Sequence, residues 1–106
     1  MKTVLNATLV GFSGEPIKNG EDDALAFGTV VRLLEVVKAQ GVSSFDLFEL
    51  GLKVNKAKDA SQVQLEDSEF KNLKKCMSEC ENREDLLIPK FIIGQIMKAI
   101  DQAEKE

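Results

Sequence analysis

Four stretches of this chain place their apolar residues at the spacing of an α-helix, and that periodicity limits the fold more than any single motif. The clearest is Phe70, Leu73, Met77 and Cys80, at i, i+3, i+7 and i+10. The spacing predicts a helix from Asp67 or Ser68 to about Glu81, with Asp67 and Glu69 stabilising its positive N-terminal end. Upstream, Val30, Val31, Leu33, Leu34, Val36 and Val37 cover most of the circumference of a helix opened by Gly28 and Thr29 and ended by Gly41. Thr29 is the better N-cap by side chain, and a helix this apolar should be largely buried. Ser43 or Ser44 caps the next one. There Phe45, Phe48 and Leu52 share one side, and Leu47, Leu50 and Val54 widen it. Pro89 suits the first turn of a last helix with Ile92, Ile93, Ile96, Met97 and Ile100 inward, beyond which DQAEKE frays into water.

The remainder reads as extended chain and turns. TVLNATLVGFSGEPIK, residues 3–18, has β-forming residues around Ser13-Gly14 and reads as a β-hairpin, with Pro16 keeping its second arm at an edge. Ala24 to Phe27 form one further extended piece, and Val63 to Leu65 a brief strand. The expected fold is α+β and mostly helical, an N-terminal β-hairpin followed by about four packed helices in a single domain of residues 1–106. A chain of 106 residues is long enough to bury a core without disulfides or metals. No apolar run approaches the ~20 residues that cross a bilayer.

The chemistry that such a chain carries depends first on Cys76 and Cys80, its two cysteines. A structural zinc site takes four ligands, usually as paired clusters, and this is a lone C-x3-C in a sequence without histidine. A redox pair wants C-x-x-C at a helix start, where the dipole favours a thiolate. These two come late in their helix, Cys80 on the apolar stripe itself, so both read as packing. Cysteine usage and the lack of a signal-peptide pattern suggest a reducing compartment, the cytoplasm. GFSG, residues 11–14, lacks the downstream Lys-Ser/Thr of a phosphate loop. GFSGE has Glu15 where a nucleophile elbow closes with glycine, and no histidine completes a triad. The acidic runs at Glu21–Asp23, Glu66–Glu69 and Glu79–Asp85 lack the register of a calcium loop. No catalytic, cofactor-binding or metal-binding residue is therefore assigned, and the chain is read as not an enzyme.

Two surfaces remain for binding. Lys71, Lys74 and Lys75 lie on the outer side of the third helix, where they suit an acidic partner or a phosphate backbone, and Phe91 lies off the apolar stripe of the last helix. VVKAQGVSSFDLFELGL has the outline of a helix-turn-helix around Gly41–Ser43, but its would-be recognition helix opens with Asp46 and Glu49 and no basic residue. With a net charge of −4, nucleic acid is an unlikely ligand.

The hairpin FSGEPIKNG with Gly14, Pro16, Ile17 and Lys18, then AFGTVVRLLE, VQLEDSEFKNLKK and IIGQIMKAI, resembles a loose group of small phage-encoded proteins of unknown function. That group runs as a G-x-P-I-K hairpin, a Leu/Val-rich helix, a V-x-L step into a helix and a V-G-Q-V helix. The likeness spans about Leu9 to Ile100. It implies a phage or prophage origin and the cytoplasm of a bacterial host, and it transfers no active site. The resulting expectation is a non-enzymatic accessory protein that binds a phage or host protein, or a second copy of itself. A small nucleic-acid-binding regulator using the Gly41–Ser43 corner is the alternative.

Overall fold

A computed structural model of the chain describes residues 1–105. Strand β1 (Lys2–Leu5) comes first, followed by β2 (Lys18–Asn19) and β3 (Asp22–Asp23). Helices α1 (Ala26–Val36) and α2 (Ser44–Lys56), strand β4 (Gln62–Leu65), and helices α3 (Asp67–Asn82) and α4 (Lys90–Glu104) complete it. The chain is α+β and mostly helical, as its periodicity predicts. Among the described residues no helix is long and apolar enough to cross a membrane.

The strands pair differently from a simple hairpin. β1 runs antiparallel to β4, with Val4 opposite Val63 and Lys2 opposite Leu65, so the first strand finds its partner far along the chain. The turn at Gly11–Gly14 does form. Gly14 adopts φ +85°, a conformation that favours glycine, and its N–H donates to the Gly11 carbonyl at 2.9 Å. Val10 and Pro16 bridge across that turn, and the ladder stops there because the Ile17 carbonyl accepts the Ala24 N–H at 2.7 Å rather than that of Leu9. A second tight turn, at Gly20 with φ +74°, joins β2 to β3. Leu9 stitches the segment together: its N–H donates to Ala24 O at 2.8 Å and its carbonyl accepts Ile17 N–H at 2.8 Å.

α1 starts earlier than its residues suggest. Ala24–Phe27 is not all extended, Thr29 is not the cap, and the helix opens at Ala26 after Leu25, which supplies no side-chain cap. The caps come from elsewhere in the chain. Asn6 Oδ1 accepts the Phe27 N–H at 2.8 Å and the Ala7 carbonyl accepts that of Ala26 at 2.8 Å. α1 also ends before Gly41, at Val36, and Gly41 with φ +86° turns the chain toward Ser43. Ser43 caps α2 as its residue type predicts, its Oγ accepting the Asp46 N–H at 3.1 Å.

α3 opens with a capping box, the Glu66 and Glu69 side chains each accepting the other's backbone N–H, and buries Phe70, Leu73, Cys76, Met77 and Cys80. Pro89 stands at the N-cap of α4, one residue before its first turn. The expected fraying of the tail is overturned through Glu104: α4 continues to that residue because Ala103 is buried and Glu104 pairs with Lys74. One cluster of buried side chains draws on all four helices and on β1 and β4.

Candidate interaction surface

α2 offers two apolar faces, and the structure buries the one with less aromatic content. Leu50 and Val54 are inward with Leu47 at their edge, whereas Phe45, Phe48 and Leu52 stand 71 %, 64 % and 40 % exposed. The expected stripe of this helix therefore points outward. At about 100° per residue its three side chains fall within roughly 60° of one another. The inward choice is held by packing on α1 and α3 and by Lys53, whose Nζ lies 2.7 Å from Glu69 Oε1 on α3. Partial burial pushes the Glu69 carboxyl up. The Lys53 bond, the Glu66 N–H and the Lys53 charge outweigh that and leave it below its ordinary value. Glu49 and Lys56 border the exposed aromatic row on one side, both exposed.

Lys71, Lys74, Lys75 and Phe91, the binding surface expected from the sequence, are separated in the structure. Lys74 is joined to Glu104 at the end of α4, and Lys75 Nζ reaches over the Gly41 turn, 3.3 Å from where a Cβ would stand there. Lys71 is exposed on the same helix. Phe91 lies thirteen residues before Glu104 on α4, about 20 Å away at 1.5 Å per residue. There it meets Phe12 from the Gly11–Gly14 turn, ring centroids 5.1 Å apart and planes at 33°. Its exposure is thus shared with a partner ring in the same chain.

The hairpin arm has a covered edge at one point. Gln95 of α4 accepts the Val10 N–H at 2.9 Å and donates to the Val10 carbonyl at 2.8 Å, a side-chain amide doing what a neighbouring strand would. A strand from another protein has no free pair of groups to take at that residue.

Cys76 and Cys80 are fully buried and unbridged, in the core with Phe70, Leu73 and Met77. Burial, with the nearby Cys80 and Glu79 adding to it, pushes the Cys76 thiol up to about 11, and burial also raises that of Cys80. At pH 8 a thiol near 11 is only about 0.1 % thiolate, the form that reacts. A chromogenic disulfide reagent at pH 8 should therefore find no fast-reacting thiol in the native protein and both on adding guanidinium. A rapid native reaction would place a sulfur at the surface.

A wide groove of about 600 Å³ opens between the β2–β3 turn, α1 and the end of α2, and Lys18, Asp23, Arg32, Glu35, Lys58 and Asp59 are among its lining residues. Its charges are of both signs, and Lys18 already holds Asp23 at 2.5 Å. No family model, curated protein or solved structure matches this chain.

Proposed function

We propose that this chain is a non-enzymatic accessory protein, of the phage-encoded kind it resembles, and that it works by binding protein through the outward face of α2. One observation carries this reading: three large apolar side chains, Phe45, Phe48 and Leu52, stand in a row in water on a regular helix. Scattered apolar residues are normal on a surface, but an aromatic row on one helix face marks an interaction site.

The same face speaks against nucleic acid. The first two turns of α2 present Phe45, Asp46, Phe48 and Glu49, apolar and acidic groups that a phosphate backbone does not reward. A photo-crosslinking phenylalanine analogue placed at position 48, irradiated in the cell that makes the protein, tests the reading. A discrete adduct is expected, lost when Phe45 and Leu52 are both changed to Asp. If position 48 gives only the background seen from position 71, the α2 face is not where the protein binds.

A further inference from the structure

In the β2–β3 turn Asn19 is followed directly by Gly20, and both are exposed. A glycine in that place has no Cβ to shield its amide nitrogen from the asparagine's own side-chain carbon. Nothing else shields it here. A Cβ built at Gly20 would meet no atom within 4 Å, and among the described residues no hydrogen bond engages the Gly20 N–H. We propose that Asn19-Gly20 is a site of spontaneous covalent modification, where the backbone itself converts Asn19 to aspartate and isoaspartate with loss of ammonia.

The Gly20 nitrogen gives up its proton to solvent base and bonds to Asn19 Cγ. The bond from Cγ to the side-chain nitrogen breaks, and that nitrogen leaves as ammonia after taking a proton from water. The product is a cyclic succinimide, which a second water opens. Addition at the side-chain carbonyl gives aspartate in an ordinary backbone. Addition at the α-carbonyl gives isoaspartate, with the chain running through the side-chain carbon. Solvent water is the co-reactant, and no electrons are exchanged.

Asn19 is extended within β2, so ring closure requires the turn to open. β2 and β3 pair over two residues only, Lys18 with Asp23 and Asn19 with Asp22, and all four are exposed. Opening uncovers no apolar side chain there and breaks a ladder too short to be stable alone. The other four of the five asparagines differ. Asn6 commits its amide to three hydrogen bonds. Asn55 and Asn72 precede residues within α2 and α3, whose N–H groups the helices engage, and Arg83 after Asn82 donates to the Cys80 carbonyl at 3.3 Å. Conversion sets a new carboxylate opposite Asp22, at the rim of the groove that Lys18 and Arg32 help to line. Like charges directly opposite destabilise a strand pair, and the isoaspartyl form adds a backbone carbon, so β2 and β3 should separate. Phe45, Phe48 and Leu52 do not line that groove, and the modification is independent of the α2 face.

The full chain aged in mildly alkaline buffer made with heavy-oxygen water tests this. Peptide mass spectrometry should find the peptide holding Asn19 split into parent and two products that carry heavy oxygen, one of them a substrate for isoaspartate methyltransferase. Isoelectric focusing of the native chain should show one added negative charge. Asn19→Gln, which would have to close a larger ring at an exposed position, should abolish both changes. Conversion in the native chain should be no more than about ten times slower than in the chain unfolded by guanidinium, equivalent to an opening cost below about 1.4 kcal/mol. A native chain that keeps Asn19 while the unfolded one loses it overturns the proposal. So does faster conversion at any other asparagine, or an acidic shift that persists in Asn19→Gln.

Discussion

Replacing Asn6 with alanine should lower the unfolding free energy by about 3 kcal/mol, since one amide supplies three bonds of about 1 kcal/mol net each. Its Nδ2 donates to the carbonyls of Lys58 at 2.9 Å and Ala60 at 2.8 Å, and its Oδ1 accepts the Phe27 N–H at 2.8 Å. The side chain is buried, so alanine leaves three backbone groups in two other segments without that partner. Those segments are the start of α1 and the loop from α2 to β4, so one residue just after β1 fastens together parts that no local signal connects. Urea unfolding followed by circular dichroism would register the loss as a lower midpoint at unchanged slope. Asn6→Asp should be worse at neutral pH, because it turns a carboxylate toward two carbonyl oxygens, and part of that loss should be recovered as the carboxyl protonates in acid. An alanine variant within about 0.5 kcal/mol of the parent would show that water replaces the amide and that the fastening lies elsewhere.

The second large effect separates two leucines of one sheet. Leu65 in β4 is fully buried, whereas Leu5 in β1 is 49 % exposed, although both lie in the same four-residue ladder. Leu65→Ala should be destabilising by about 3 kcal/mol, within the range for a buried leucine whose surroundings relax only partly. Leu5→Ala should stay below about 1 kcal/mol. The pair also tests the register, because a slip of one residue turns every side chain of a strand to the other face. Equal losses, or a larger one at Leu5, would mean that Val4 and Val63 are not opposite each other.

Among the elements, α3 is the most legible. Its stripe, its acidic first turn and its capping box all lie within consecutive residues, so nothing distant is needed to read it. Cys76 and Cys80 follow from the same stripe, and their burial agrees with it. α2 shows the opposite case. Phe45/Phe48/Leu52 and Leu47/Leu50/Val54 are both spaced i, i+3, i+7, so periodicity marks two faces and ranks the aromatic one first. Packing on α1 and α3 reverses that rank. For this reason the candidate surface was legible as apolar residues, yet not as surface. The lysines of α3 and Phe91 were visible as outward residues. Their separation along α4, and the ring of Phe12 beside Phe91, depend on which helix ends meet.

What the residues determine by themselves are the properties carried over one or two helical turns: mostly helical α+β architecture, the Ser43 cap, the body of α3 and the inward sulfurs. Tertiary structure alone decided what needs groups distant in sequence. Asn6 starts α1 two residues before Gly28, β1 pairs with β4 instead of its neighbour, Gln95 occupies the edge at Val10, and Lys74 with buried Ala103 carries α4 to Glu104. The physical reason is common to all four. A backbone N–H, a carbonyl or an apolar face must be satisfied by some partner, but nothing in its own neighbourhood says which one will arrive once the chain has folded.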